Sequence, residues 1–519
     1  MRSVETVLLL VVLATVVAVS ARRLRLPAPS LLVVAGVLAG TLPGVPAVQV
    51  GPEFVSLVVL PPLLYAAGED LSWRELRAVW RPVAILAIGL VLASAAAIGV
   101  VAAMVTPLSG STAFLLGAIL ASTDPVAVTA LGRRLALPAR VQTLIQAESL
   151  FNDATSLVLF RVAVAALVAG GAVSWHGGTV QFLLLAGGGA GIGAVVAAGV
   201  ALIRQRTEDP VLETVIALVT PYLAYVLAEG LHVSGVTAVV VASVILGGLS
   251  PRLTNPAIRL QLHAVYGTVV FLLESIVFSL IGLALPGLIE NLQGSLAALP
   301  WQVLAITATL LAVRALWVFP LWAAMQAGTG SRPSWRVPAV VSWAGARGVI
   351  PLAAALSIPL ITDSGDPLPH RDLILTLTAA VIVLTLTVQG LSLGPLVRRS
   401  GVAVSPERAR DEDATARLRM ARAALDRLDE LDDLEAVPQA VSHRLRRALT
   451  ARVEQSNVRN RPDEPTEPTY RQVRRELIAV EANELRRLHE SSVISEATRR
   501  RLQRALDLEH ASLDEDESP

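Results

Sequence analysis

The 519-residue chain contains no cysteine and no lysine. The absence of cysteine excludes a disulfide framework, a thiolate nucleophile and a zinc–thiolate site. Because all 43 basic residues are arginine, the absence of lysine reflects a compositional bias and indicates no particular function. Aromatic residues make up 4% of the chain and charged residues only 16%, against roughly 25% in ordinary soluble domains. So low a charged fraction argues against a soluble globular protein.

The chain is rich in apolar residues. Hydrophobic residues form 54% of the chain and the mean hydropathy is +0.61, values typical of a polytopic membrane protein. The first apolar run lacks a basic flank and a small-residue cleavage site, so we expect a retained first helix. Altogether the pattern predicts an all-α protein with about thirteen transmembrane helices. The corresponding runs cover residues 5–21, 28–42, 53–69, 82–105, 111–131, 141–169, 179–203, 210–230, 234–250, 260–286, 300–326, 336–360 and 373–396.

The distribution of charge divides the chain near residue 400. Of its 42 acidic residues, 25 lie after that point, where polar sequence carries leucines at helical spacing, as at Leu418, Leu425 and Leu428. We therefore expect a transmembrane domain over residues 1–399 and a mostly helical tail over residues 400–519. The tail shows no nucleotide-binding or metal-ligating pattern, so it either packs on itself or on a second copy, or regulates the membrane domain.

Arginine is concentrated in alternate connections between the spans, and the intervening connections carry almost none apart from Arg371. By the positive-inside rule, the N-terminus lies outside and the tail lies in the cytoplasm. An odd number of spans also permits internal symmetry. If span 7 is a linker, spans 1–6 and 8–13 have opposite topology, which is the layout of two inverted six-helix repeats.

Two spans in corresponding positions of these repeats are interrupted. Span 5 contains Thr123, Asp124 and Pro125, and span 12 contains the glycine-rich residues 345–348 followed by Pro351. Pro125 is expected to act as scaffold, since proline cannot continue the hydrogen bonding of a helix. Matched interruptions predict crossed, broken helices with a binding site near the middle of the bilayer.

Three acidic residues lie within apolar sequence at this point of the chain, namely Asp124, Glu148 and Asp153. A charge at bilayer depth costs about 3 kcal/mol on insertion scales, so such residues are functional by default. Asp153 is the leading candidate for an exchange carboxylate, because one carboxylate holds either a proton or a hard cation but not both. Asp124 is either a second oxygen ligand or a structural acid that binds freed backbone amides.

Neutral oxygens for a sodium-like cation are available nearby. Thr123 and Ser149 can supply hydroxyl groups, and the interrupted backbone can supply carbonyls, which suit hard cations. The alternative is that these hydroxyls bond to the backbone of their own helix, as serine and threonine often do in membrane helices. Asn152 points about 100° away from Asp153 around the helix, so we expect it to tie span 6 to broken span 5.

A permanent cation deep in span 12 requires a partner. Arg347 is that cation, and we expect Glu148 to pair with it in a structural ion pair. Arg161, Arg314 and Glu274 also lie within spans. Arg314 and Glu274 form a possible second pair, but snorkelling or interface packing would explain each of these residues equally well.

Seven short segments distributed over residues 5–400 form a pattern that is specific only in combination. They are LPPLLY (60–65), ASTDPVAV (121–128), ESLFNDATSLVL (148–159), VSGVTAVVVA (233–242), VFSLIGLAL (277–285), RALWVF (314–319) and GARGVIPLAAAL (345–356). In this order the segments resemble the monovalent cation/proton antiporter family, specifically the NhaP-type sodium/proton antiporters and the animal sodium/proton exchangers.

The resemblance implies a secondary active transporter, not an enzyme, that exchanges one sodium or lithium ion for one proton without net charge transfer. It implies a homodimer in the bacterial cytoplasmic membrane, with alternating access produced by an elevator-like shift of spans 4–6 and 11–13. It implies no cofactor and no nucleic-acid partner. The family's functional positions fall on the cation ligands Thr123, Asp124, Ser149 and Asp153, on Asn152, and on the ion pair Glu148 and Arg347.

The chain departs from the family at Ala66, where an acid usually follows LPPLLY; Glu69, about one turn away, is a possible substitute. The residues do not encode ion size, so potassium/proton exchange stays an alternative. Alternatives from other functional classes are a cation channel, a membrane sensor that signals through the tail, and an intramembrane aspartyl protease. The protease would need two carboxylates that share a proton, and neither flanking sequence resembles a protease motif.

Overall fold

A computed structural model describes most of the chain. The described residues are 12, 15–17, 28–42, 55–69, 71, 73–124, 137–168, 175–207, 209–290, 296–327, 334–362, 367–403, 406–434, 438–458, 466–491 and five positions between 502 and 509. Over these ranges the protein is helical, with a single isolated β-bridge between Ile361 and Pro367. The chain forms two compact units, Met1–Ala403 and Val404–Pro519.

Fourteen α-helices of the first unit have bounds within the described residues. They are α1 (Ala28–Gly40), α2 (Leu60–Glu69), α3 (Trp73–Ala84), α4 (Val91–Val105), α5 (Gly110–Leu120), α6 (Ala139–Val168), α7 (Trp175–Arg204), α8 (Pro210–Gly230), α9 (Gly235–Leu253), α10 (Pro256–Glu290), α11 (Leu299–Ala327), α12 (Arg336–Trp343), α13 (Val349–Leu356) and α14 (Arg371–Ser400). A π-helical turn joins α3 to α4, and another precedes α2. Seven helices in the described part of the chain are long and apolar enough to cross a membrane, and four shorter ones are also apolar.

The all-α membrane architecture is confirmed. Each predicted span from 28–42 onwards contains a described helix, whereas most of span 5–21 lies outside the described residues. The count of thirteen therefore stays a prediction.

The interruption expected in span 12 is present, and the described helix of span 5 ends as expected before Thr123. Helix α5 ends at Leu120, and the chain continues without helical structure through residues 121–124. Pro125 and the expected continuation of this span lie outside the described residues. In span 12, residues 344–348 separate α12 from α13, and Pro351 lies in the first turn of α13, where a missing N–H costs no helical hydrogen bond.

Close packing of small residues holds α1 against α10. A Cβ atom added at Gly36 would lie 2.6 Å from the Ser279 carbonyl oxygen, and one added at Gly282 would lie 2.3 Å from the Val33 carbonyl oxygen. Neighbouring helices inside a membrane gain little from the hydrophobic effect, so stable contact depends on such close backbone approach. Glycine at these two positions sets the distance between the helices.

Replacing Gly282 by valine should therefore force α1 and α10 apart and lower the melting temperature of the purified protein. Overpacking of this kind typically costs roughly 1–3 kcal/mol. Gly267→Val is the matched control, because Gly267 is on the same helix and a Cβ there would meet no atom within 4 Å. Equal thermal stability of the two variants, measured by differential scanning fluorimetry in detergent, would contradict the packing argument.

Arg204 differs from the other arginines that indicate the membrane orientation. It belongs to the arginine-rich connection between spans 7 and 8, but its side chain is fully buried and its Nε donates to Glu213 Oε2 at 2.6 Å. The Glu69 carboxylate lies 4.0 Å from Arg204 Nη1. This buried pair links the end of α7 to the start of α8, so Arg204 serves packing in addition to any effect on orientation.

The second unit contains the expected helices of the tail, α15 (Pro406–Asp433), α16 (Gln439–Val458) and α17 (Thr466–Glu490). Helices α15 and α16 form a hairpin in which Arg446 contacts Asp429 at 2.5 Å and Asp432 at 2.8 Å. The Ser442 hydroxyl donates to Asp432 at 2.5 Å. These two donors, Ser442 first and Arg446 second, hold the pKa of Asp432 below its ordinary value. The hairpin is thus joined by charged contacts at its surface.

Candidate cation-binding site

Asp153 lies in the middle of α6 and is buried, with 3% of its surface exposed. The Ser122 hydroxyl, from the non-helical stretch that follows α5, donates to its Oδ1 atom. The carboxylate of α6 therefore faces the interruption of span 5. This is the arrangement that the sequence predicts, although the serine itself was not among the expected site residues.

Three further contacts fix Thr123 against α6. The Ser149 hydroxyl donates to the Thr123 carbonyl oxygen, so it does not bond to its own helix. Asn152 Nδ2 donates to Thr123 Oγ1 at 2.5 Å, and the Thr123 amide donates to Asn152 Oδ1 at 3.3 Å. Asn152 thus bridges the two spans through its amide group. The expected neighbours Thr123, Ser149, Asn152 and Asp153 come together in one buried cluster.

Asp124 connects the two interruptions to each other. Its backbone amide donates to the Ala346 carbonyl oxygen at 2.8 Å, and its Oδ2 atom accepts from the Val349 amide at 3.3 Å. A carboxylate at the first residue of α13 compensates the partial positive charge of a helix N-terminus. A Cβ at Gly348 would lie 1.3 Å from this Oδ2 atom, so only glycine leaves room for the carboxylate. Of the two roles left open for Asp124, the contacts favour the structural one.

The sequence predicts an ion pair between Glu148 and Arg347, and the choice of arginine is wrong. Glu148 instead pairs with Arg314 of α11, whose Nη1 and Nη2 donate to Oε1 and Oε2 at 2.7 Å each. Arg314 also donates to the Val341 carbonyl oxygen at 3.1 and 3.2 Å. Both partners are buried, and the planar guanidinium fork matches the carboxylate in the bidentate geometry that arginine favours.

The local backbone explains this choice of partner. A Cβ at Gly345 would lie 2.5 Å from Arg314 Nε, so Arg314 passes directly over a glycine of the interruption on its way to Glu148. Arg347 sits in the same non-helical turn, and its Nη1 folds back onto the Gly345 carbonyl oxygen at 2.8 Å. The suggested pair of Arg314 with Glu274 is also wrong, because the guanidinium of Arg314 is used by Glu148 and Val341.

The ion pair is connected to the residues that pack around the end of span 5. Asn152 Nδ2 lies 3.3 Å from Glu148 Oε1 and so connects the pair to Thr123. In the described part of the chain, no three His, Cys, Asp or Glu side chains converge as they would around a divalent metal. The Asp153 carboxylate is bound by the Ser122 hydroxyl, and the neighbouring Thr123 carbonyl is bound by the Ser149 hydroxyl. Such oxygens form a hard and weakly charged set that suits a small monovalent cation.

Ionisable side chains at the interruptions of two helices, inside a helical membrane unit, define the class of protein. They are typical of secondary transporters that bind a small ion near the middle of the bilayer. The family model described as "Sodium/hydrogen exchanger, transmembrane" matches residues 8–399. The chain belongs to the sodium/hydrogen exchanger family.

Several bacterial relatives resemble the chain over most of its length. An uncharacterised Na+/H+ exchanger of Mycobacterium tuberculosis is 34% identical over 525 residues, which cover 97% of this chain and 95% of the relative. The Na+/H+ antiporter ApNhaP of Aphanothece halophytica is 34% identical over 75% of this chain and 72% of its own length. A sodium, potassium, lithium and rubidium/H+ antiporter of Bacillus subtilis is 32% identical over 73% of this chain and 60% of its own.

The fold has also been seen in a solved structure. The sodium proton antiporter MjNhaP1 of Methanocaldococcus jannaschii matches with a TM-score of 0.64 and 22% sequence identity, covering 77% of this chain and 99% of that one. At this level of identity the match establishes the antiporter fold of the membrane unit.

Proposed function

We propose that this protein exchanges one Na+ or Li+ for one H+ at Asp153, by alternating access of that site to the two sides of the membrane. The observation that carries the proposal is the buried Asp153 carboxylate, which accepts from Ser122 where span 5 leaves its helix, next to a Thr123 carbonyl that is bound by Ser149. Family membership supports cation/proton exchange as the reaction, and so do the names of the bacterial relatives.

The mechanism rests on mutual exclusion at one side chain. A protonated Asp153 has no negative charge to offset the desolvation of a cation, and a cation at Asp153 displaces its proton. Ser149 and the Thr123 carbonyl add neutral ligands, while Asp124 adds negative charge as its Oδ2 binds the first turn of α13. Asn152 and the Glu148–Arg314 pair hold these groups in place. The cation and the proton are the transported substrates, and no further cofactor is required.

Electroneutral exchange follows from the charge of this site. Asp153 carries one H+ in one direction and one monovalent cation in the other, and its neighbour in the chain, Asn152, is uncharged. Moving one elementary charge through 100 mV is worth about 2.3 kcal/mol, roughly fiftyfold in an equilibrium constant. Exchange in proteoliposomes should therefore proceed at nearly the same rate with and without an imposed potential. A strong dependence on voltage would show that net charge crosses with each cycle.

The arginine-rich connections support an orientation with the N-terminus outside and the tail in the cytoplasm. For a bacterial chain this means the cytoplasmic membrane. We also propose a homodimer, as the family resemblance implies, in which spans 4–6 and 11–13 move; these spans contain α4, α5, α6, α11, α12, α13 and α14.

Potassium/proton exchange is the second candidate, and the name of the Bacillus subtilis relative favours it. One assay separates the candidates: purified protein in liposomes with an imposed pH gradient, to which Na+, Li+ or K+ is added in turn. Dissipation of the gradient by Na+ and Li+ but not K+ supports the main proposal. A response to K+ of equal size would assign a broader cation specificity, and no response to any cation would reject antiport.

A further inference from the structure

Ser122 is the residue of the site that the sequence did not single out. Its hydroxyl donates to Asp153 Oδ1, and the residue is 1% exposed. The serine follows α5 by two residues, in a stretch without helical structure. It is therefore a polar group in direct contact with the carboxylate on which the proposed exchange depends.

The backbone on the C-terminal side of Ser122 is held at two consecutive residues. The amide of Thr123 is bound to Asn152 of α6, and the amide of Asp124 is bound to Ala346 in the interruption of span 12. These bonds place the hydroxyl at a defined position between the two halves of the protein. Binding groups need such support, because a ligand displaced by an ångström loses most of its interaction energy.

A serine hydroxyl has one donor and two lone pairs, and the hydrogen rotates freely about the C–O bond. With no cation present, the hydroxyl gives its hydrogen to the carboxylate and satisfies one of its oxygens. When a cation approaches Asp153, the same hydroxyl can turn its hydrogen away and present a lone pair to the ion. A backbone amide could perform only the first task, and a carbonyl only the second.

We infer that Ser122 is a direct ligand of the transported cation and that its hydroxyl replaces the cation at Asp153 in the empty site. This inference rests on the proposed function of Asp153. It also bears on specificity, because a small cation loses more hydration energy on entering the site and depends more on each ligand that replaces water. Loss of the hydroxyl should therefore weaken Li+ binding more than Na+ binding.

The competing explanation is that Ser122 only joins α5 to α6, and the chain offers a matched control for it. Ser156 of α6 is also buried, and its hydroxyl donates to the Ala118 carbonyl oxygen of α5 at 2.6 Å. Ser156→Ala removes a hydrogen bond between the same two helices without touching the Asp153 carboxylate. A purely structural role predicts the same outcome for Ser122→Ala and Ser156→Ala.

The test compares Ser122→Ala, Ser122→Cys, Ser122→Thr and Ser156→Ala in the full-length protein. Ser122→Cys preserves size, but its thiol is a poor ligand for a hard cation. In the proteoliposome assay, the alanine and cysteine variants should raise the KM for Na+ about tenfold or more. The increase in KM should be larger for Li+ than for Na+, and kcat should change by less than about threefold. Ser122→Thr should restore a KM near that of the parent protein, and Ser156→Ala should leave it unchanged.

A second readout, stabilisation of the detergent-solubilised protein by Na+, decides the inference without reference to transport. The increase in melting temperature with NaCl over choline chloride reports cation binding, and it should be lost in Ser122→Ala and Ser122→Cys. Normal stabilisation and a normal KM in both variants would overturn the ligand role of Ser122, as would equal effects of Ser156→Ala. If the parent protein binds Na+ but shows no exchange, the proposed function fails while the ligand role is still decided.

Discussion

Replacing Asp153 by asparagine is expected to reduce cation-driven proton movement to the level of protein-free liposomes. The amide of asparagine neither releases a proton in the physiological range nor supplies negative charge to a cation, so both halves of the exchange are lost together. The variant should still fold, because the side chain keeps its size and its oxygen can still accept from the Ser122 hydroxyl. The measurement is the Na+-dependent collapse of a pH gradient in proteoliposomes.

Asp209→Asn is the control for this substitution. Asp209 is exposed, and its side chain accepts from the Val211 and Leu212 amides at the start of α8. Asparagine caps helices about as well as aspartate, so this variant should keep both stability and exchange. Residual exchange in a well-folded Asp153→Asn protein would move the exchange function to another group.

Replacing Arg314 by methionine is expected to destabilise the protein by roughly 3–5 kcal/mol, which would appear as low yield and a lowered melting temperature. Methionine has a similar length but no charge, so it leaves Glu148 as an uncompensated carboxylate in the interior. Glu148 is 1% exposed and cannot reach water without rearrangement of α6. The cost comes from the stranded charge more than from the lost contact.

Two comparisons test this explanation. Arg161→Met breaks an ion pair with Glu229 whose side chains are 26% and 36% exposed, so the loss should stay near or below about 1 kcal/mol. Adding Glu148→Gln to Arg314→Met should recover part of the stability, because the stranded charge disappears. If Glu148→Gln instead rescues Arg347→Met and not Arg314→Met, the functional partner of Glu148 is Arg347 after all.

The free-energy cost of polar groups inside a membrane explains which features could be predicted from the sequence. Charges in apolar spans are expensive, and broken helices need partners for their backbone groups, so the burial of Asp153 and Asn152 beside the end of a helix, and the interruption of span 12, could be predicted from residue type and position alone. The helical tail followed from apolar residues at helical spacing. These features depend on local composition and on the spacing of apolar residues along the chain.

The partners of these groups depend on how helices cross, which local composition does not encode. Arg161, Arg314 and Arg347 lie deep within predicted spans, and Arg347, inside the interruption of span 12, was expected to be the partner of Glu148. In the structure Arg314 arrives from α11 over Gly345, while Arg347 turns back onto its own segment. Ser122 was not predicted for a related reason. A serine beside a Thr-Asp-Pro sequence can be recognised as a site residue only once the position of the carboxylate on the opposite helix is known.

Asp124 has a mechanical consequence for the protein. Its amide and its carboxylate bind successive parts of the opposite interruption, at Ala346 and Val349, so the two broken helices share a joint. Neither helix can slide along the membrane normal without carrying the other or rupturing that joint. Under the alternating access proposed above, we therefore expect the two segments to move together as one block, because moving one alone would break both hydrogen bonds of Asp124.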